Sequence, residues 1–318
     1  MNAPRPKRQH GFTLIEISIV LVIIGLVVGG VLVGRDLISA AAVRAQVSQI
    51  EKYQTAVNTF RGKYGYLPGD IPNPVAGQFG FPSRGSFAGE GDGNGILEGI
   101  NSDASGQNDS FCVFTGEEAM FWVDLSQAKL IDGSFTTATP RAVPGSVVMG
   151  SAINTYLPQA KIGSGGYVYV WSGGWQGFTG GGGDGLNYFA VTGVTGYWSA
   201  NESSSAIPLL TVAQAFAIDK KVDDGLPQSG NVLAMDESMA WATNGPVSGT
   251  PPTEIFTGDY GLNPAVGPVT PSSGGAVWDS ASSSQTCYSN GNNIQVQETY
   301  SITNNANYVN CVLSFKFQ

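Results

Sequence analysis

From Phe12 to Val33 the chain is an apolar run that carries one charged residue, Glu16, and it meets charge again only at Arg35 and Asp36. Beyond it, Val43, Val47, Ile50, Gln54, Val57 and Phe60 recur every three or four residues, while Arg44, Gln46, Glu51 and Lys52 mark other faces. That periodicity is helical. Gly62 and Gly65 followed by Pro68 supply a stop. The spacing predicts one helix over residues 12–63, roughly 75 Å long at 1.5 Å per residue. Its first half, residues 12–34, is apolar enough to span a membrane. The second half has a single apolar stripe and should pack on a globular body. Glycines 25, 29, 30 and 34 give the first half a small-residue face on which helices approach closely. Each also weakens the helix by about 1 kcal/mol relative to alanine.

Later segments change period. EEAMFWVDLSQAKLIDG, residues 117–133, has helical spacing and ends at Gly133; its two leading acids suit a helix N-terminus. From about residue 163, GGYVYVWSGGW and then TGGGGDGLNYFAVT alternate β-branched and aromatic residues between glycines, which predicts paired strands. Tyr167, Tyr169, Trp171, Trp175, Phe178, Tyr188 and Trp198 are read as the apolar face of that sheet in preference to a sugar-stacking surface. TVAQAFAIDKKVDDGLPQSG, residues 211–230, is a second helix-then-turn unit, with Asp219, Asp223 and Asp224 at a solvated helix end. Residues 245–285 are rich in Pro, Gly, Ser and Thr and read as a surface excursion. The C-terminal VQETYSIT and YVNCVLSFKF alternate like strands. The fold class expected is α+β: a long N-terminal helix, then a head over residues 64–318 with an antiparallel sheet and a β-rich lobe around 163–285.

Composition narrows the function. Only 12 % of residues are charged, against about 25 % in ordinary domains. The net charge is −9, and the first eleven residues hold Arg5, Lys7 and Arg8 with no acid. Without that segment 12 basic residues face 24 acidic ones, a body at −12. Long-range repulsion then disfavours nucleic acid as a partner. The three cysteines, Cys112, Cys287 and Cys311, fit an oxidising compartment and contain no CxxC pair for zinc. The expected bridge is Cys287 with Cys311, closing a short C-terminal loop and leaving Cys112 a buried thiol; the alternative is three buried thiols. The one histidine is His10. A chain trimmed after Gly11 would have no Ser-His-Asp or Cys-His machinery and no histidine ligand for a metal, so no enzyme is expected.

The start of the chain is more specific. KRQHGFTLIE, residues 7–16, followed by the apolar helix, resembles the leader and start of a type IV prepilin or a type II secretion pseudopilin. The resemblance covers about fifty residues. It implies a leader over residues 1–11, cleavage between Gly11 and Phe12 by a prepilin peptidase, and N-methylation of Phe12. It also implies an assembly role for Glu16. A carboxylate in hydrocarbon is costly unless paired, and the α-ammonium of a trimmed Phe12, in the same or a neighbouring subunit, lies within reach. Other pilin or pseudopilin subunits and an inner-membrane assembly platform are the partners implied. The chain would wait in the bacterial inner membrane and pass into a periplasmic or extracellular filament as a large, minor or tip subunit. The other readings are a membrane-anchored adhesin or carbohydrate-binding protein that does not polymerise, and a secreted hydrolase.

GEGDGNGILEGIN, residues 89–101, alternates acids and asparagines with glycine. Glu90, Asp92, Asn94, the Ile96 carbonyl, Glu98 and Asn101 approximate the ligand positions of a calcium loop of the EF-hand type. No cofactor is required by any other feature, and Ca²⁺ is the one candidate.

Overall fold

The computed structural model describes residues 13–85, 89–100, 108–109, 116–140, 148–163, 165–172, 185–198, 203–207, 209–227, 229–236, 287–289, 299–307 and 309–318. Gly11, Phe12, Asn101, Cys112, Trp175, Phe178 and residues 245–285 lie outside them. The chain forms two compact units, divided between Ala42 and Val43.

The first helix, α1, spans Leu14–Tyr64 and contributes to both units. In the first unit every large apolar side chain from Leu14 to Ile38 is 47 % exposed or more. In the second, Val43, Gln46, Val47, Gln49, Ile50, Tyr53, Ala56, Val57 and Phe60 are buried. Two positions depart from the expected stripe. Gln46 is fully buried, because its Oε1 accepts from the backbone N–H groups of Lys161 (2.8 Å) and Ile162 (3.2 Å). Tyr53 takes the inward position that spacing gave to Gln54. The helix stops where glycine allows it: Gly65 has φ +82° and donates its N–H to the Arg61 carbonyl at 2.8 Å.

A short helix α2 (Val75–Gln78) and the ribbon of β1 (Gly99–Ile100) with β2 (Asn108–Asp109) precede α3 (Gly116–Gln127). The sequence places the end of α3 at Gly133, and the structure ends it six residues earlier. Lys129, at φ +57°, donates to the Ser126 carbonyl, and Leu130 donates to the Leu125 carbonyl, both at 3.0 Å. This is a Schellman stop built on lysine instead of glycine.

The remaining strands are β3 (Val148–Met149), β4 (Tyr167–Ser172), β5 (Asn187–Trp198), β6 (Ser203–Ile207), β7 (Leu210–Thr211), β8 (Val232–Asp236), β9 (Tyr288–Ser289), β10 (Thr299–Tyr300) and β11 (Val309–Lys316). All of these except β9 and β10, which pair with each other, belong to one antiparallel sheet around β5 and β11. The register sets Phe315 opposite Phe189 and Ser314 opposite Ala190. Strand side chains alternate between faces, and the two faces are filled differently. Phe189 meets Phe121 of α3, Tyr53 of α1 and Phe317 at ring-centroid distances of 5.9, 6.0 and 4.3 Å. Tyr188, on the other face, stacks on Trp171 at 4.6 Å, and the Trp171 indole N–H donates to Ser314 Oγ at 3.2 Å. Tyr167, Tyr169, Trp171 and Tyr188 are therefore core residues of the sheet, all 6 % exposed or less.

Between β7 and β8, α4 (Val212–Val222) starts on a capping box in which Thr211 and Gln214 exchange bonds. A single-turn helix α5 (Ile302–Asn305) follows β10, where the sequence pattern predicts strand. Cys287 and Cys311 form a disulfide that ties β11 to the segment entering β9.

Candidate functional site

Two places gather functional side chains. The first is the start of α1. Thr13 donates its backbone N–H (2.7 Å) and its hydroxyl (2.9 Å) to Glu16 Oε2, and the Glu16 N–H donates back to Thr13 Oγ1 at 3.3 Å. The first helical bond, from the Ile17 N–H to the Thr13 carbonyl at 3.3 Å, begins there. Thr13 at the cap and Glu16 three residues on thus satisfy one another's orphan groups. Sequence spacing carries this signal, since Thr-x-x-Glu before an apolar run is the capping pattern itself. Glu16 is therefore held by a local partner at the helix start, where a carboxylate also suits the helix dipole. Gly11 and Phe12 immediately precede it, outside the described residues.

Behind that cap, α1 is long and apolar enough to cross a membrane by length and composition. Residues 6–32 match the prokaryotic N-terminal methylation motif, the signature of type IV pilins and pseudopilins. No curated protein and no solved structure matches the chain. The motif supports a type IV pilin- or pseudopilin-like subunit, structural in character, served by prepilin processing.

The second place is in the head. Asp70 follows α1, Asp92 lies in the glycine-rich loop and Glu117 opens α3; one carboxylate oxygen from each lies within 4.8 Å of the others. Asp70 and Glu117 are 1 % exposed or less, and Asp92 is open to solvent. The loop turns its backbone inward on them. Asp70 accepts from the N–H groups of Gly93 (2.6 Å) and Gly95 (2.8 Å), one on each oxygen. Glu117 accepts from Gly91 (2.9 Å), Asp92 (3.2 Å) and Glu98 (3.0 Å). Gly93 and Gly95 have φ of +81° and +87°, which a side chain would strain, and this lets alternate amides face one centre. Asn187 at the start of β5 anchors the loop, accepting from the Leu97 N–H and donating to the Gly95 carbonyl, both at 2.8 Å.

Burial pushes the Asp70 carboxyl up to about 7 and the Glu98 carboxyl up to about 7, each raised further by Asp92. Glu117 is pushed well above the usual carboxylate range, by burial first and by Asp70 second. Crowded buried carboxylates favour protons or a cation.

Of the residues that spacing assigned to a calcium loop, Asp92 is in the cluster. Asn94 makes a local turn, accepting from Ile96 N–H at 2.6 Å and donating to Asp92 Oδ2 at 3.1 Å. Glu90 is buried against Gly85, where an added Cβ would lie 1.5 Å from its carboxylate oxygen. The sequence reading missed Asp70 and Glu117. By sequence Glu117 suits a helix N-terminus; in the structure it is fully buried and accepts three loop N–H groups. Its sequence separation from the loop hides it; an acid in the PGD turn after a helix stop was the one available signal for Asp70.

Asp219, Asp223 and Asp224 also come together. Asp219 is buried, not solvated as its position at a helix end suggested, because Tyr300 donates its hydroxyl to Asp219 Oδ2 at 2.7 Å. Backbone and turn groups take the other bonds: Gly225 N–H on Asp219 Oδ1, Val232 and Asn231 N–H both on Asp223 Oδ2, and Leu226 N–H with the Ser229 hydroxyl on Asp224. These acids cap a turn.

Proposed function

We propose that this chain is a structural subunit of a type IV pilus-like or pseudopilus filament. It is cut between Gly11 and Phe12, methylated at Phe12, held in the bacterial inner membrane by α1, and built into the filament through that helix. The size of the head favours a minor or tip position. Pairing of Glu16 with the Phe12 α-amine of the same or the neighbouring subunit guides assembly. Thr13 occupies Glu16 Oε2, and Oε1 is the oxygen assigned to the ammonium. The observation that carries the reading is the methylation motif over residues 6–32 running into a helix long and apolar enough to cross a membrane.

The test is mass analysis of the N-terminus of the protein isolated from its native host. A methylated Phe12 is the expected result. An intact leader overturns cleavage and favours an anchored adhesin, and a cut near residue 40 overturns the anchor as well.

A further inference from the structure

We infer that a groove in the head, walled on one side by α1, holds a short segment of an acidic polysaccharide, a chain of sugars that carry carboxylates. Every residue of the groove belongs to the second unit. The inference goes beyond the filament reading and stands whether or not the chain polymerises.

The groove has a volume of about 1220 Å³, above the range of roughly 300–1,000 Å³ that encloses one small molecule. It has room for several linked sugars. α1 forms one wall, the turn after α3 a second, and the segment leading to β4 the third. Three of the seven lysines beyond residue 42, Lys52, Lys129 and Lys161, line it, one from each wall. None is neutralised by the chain itself, because the one salt bridge among the described residues is Arg84 with Asp124. Glu51 and Asp132 line the groove and also make no ion pair. An ammonium takes a ligand carboxylate and a carboxylate accepts a sugar hydroxyl. A hydroxyl-rich acid uses both.

Tyr53 is an independent sign. It lines the groove and is 8 % exposed. Its hydroxyl accepts from Gln49 Nε2 at 3.0 Å, and the same amide donates to the Gln159 carbonyl at 2.8 Å. Gln49 and Gln159 both line the groove, so the hydroxyl sits among groove residues. Its own proton has no acceptor among the described residues. Burial pushes this phenol up to about 12, with the Asp132 charge adding to the rise, so it stays a donor in want of an acceptor. Thr55 and Thr59 give their hydroxyl protons to the carbonyls of Glu51 and Thr55, both at 2.8 Å, and keep their oxygens as acceptors on the α1 wall.

A peptide fits less well. Along the third wall the Ala160 and Lys161 N–H groups are taken by the Gly166 carbonyl and Gln46 Oε1, both at 2.8 Å, and the Pro158 carbonyl by the Val168 N–H at 2.9 Å. Those groups are closed to an added strand. Duplex nucleic acid, with a charge per about 1.7 Å, would spread over the acidic body around the groove. Repulsion of a short glycan by that body is screened beyond about 8 Å at physiological salt.

The test is calorimetry on the full chain in detergent micelles, without added divalent cations. The probes are short oligogalacturonate, its methyl-esterified form and an oligo-glutamate peptide of equal charge. Oligogalacturonate should bind one segment per chain, about tenfold or more tighter than either comparator. Lys129→Gln combined with Lys161→Gln should weaken it about tenfold, and Tyr53→Phe, which keeps the ring, about fivefold. Both lysines are exposed, so the double variant keeps the fold even if Tyr53→Phe does not. Lys220→Gln, at an exposed lysine outside the groove, should bind as the parent does. The inference is overturned if millimolar oligogalacturonate does not bind, or if the esterified form or the peptide binds as tightly. It is also overturned if the double lysine variant, with an unchanged Tm, binds as the parent does.

Discussion

Two stretches of one helix handle apolar surface in opposite ways. From Leu14 to Ile38 the large apolar side chains are all 47 % exposed or more, whereas Val43, Val47, Ile50, Tyr53, Val57 and Phe60 are all 8 % exposed or less. The first stretch is apolar around its whole circumference, so no single face of a globular body covers it; lipid or other helices must. The second is apolar along one stripe, which its own chain covers. Burial on the same chain turns side-chain identity into fold stability, and burial against other molecules turns it into location and assembly. Substitutions in the two stretches should therefore be felt in different measurements.

The largest effect sharpens this contrast at Glu16, the acid within the apolar run. Glu16→Ala should leave cleavage after Gly11 intact and reduce filaments below detection by electron microscopy. Filaments of ordinary number and length would remove the charge-pairing account of assembly. Head unfolding, followed by tryptophan fluorescence, should not change, since all six tryptophans lie beyond residue 64.

Phe60→Ala should do the reverse. Phe60 is fully buried against Tyr64 (4.5 Å) and Phe81 (5.3 Å), and truncation of such a ring costs about 3–5 kcal/mol. Leu26→Ala, at a side chain 72 % exposed, should move head unfolding by less than about 0.5 kcal/mol. Equal losses from the two variants would show that the first stretch, like the second, stabilises the head. A smaller loss is expected from the disulfide. Cys287 and Cys311 are 24 residues apart, and opening a loop of that size costs about 2–4 kcal/mol. Reduction should lower the tryptophan-reported Tm and leave membrane retention unchanged.

What the sequence disclosed follows the range of the interactions involved. The two stretches of α1 were legible because helical periodicity and mean apolarity are local, and the stop at Gly65 was legible because it needs a residue that tolerates positive φ. The strands β4, β5 and β11 were legible from their alternation. The end of α3 was not, because Lys129 takes a conformation that glycine usually marks. Gln46 looks like surface in the sequence because its partners, the amides of Lys161 and Ile162, lie more than a hundred residues away. The carboxylate cluster was half legible for the same reason. Asp92 announces itself by alternating with glycine, but Asp70 and Glu117 join it only after folding.

The smallest predicted effect asks whether the head alone responds to pH. The anchor stretch has no titratable group between Ile17 and Gly34, so a stability slope near neutrality must come from the head. Burial pushes the Asp219 carboxyl from 3.8 to about 6, against the opposing hydrogen bond from Tyr300. An acid raised in the folded state holds its proton more tightly there than in the unfolded chain. Its stabilising share is complete below about pH 4 and is lost as pH rises through about 6. The loss should be on the order of 1 kcal/mol. Asp219→Asn keeps an oxygen for the Tyr300 hydroxyl and cannot ionise. Measured at fixed calcium, the parent should lose Tm relative to this variant between pH 4 and pH 7. Parallel pH curves for the two proteins would show that Asp219 stays ionised in the fold, and that the turn after α4 is open to water in spite of its burial.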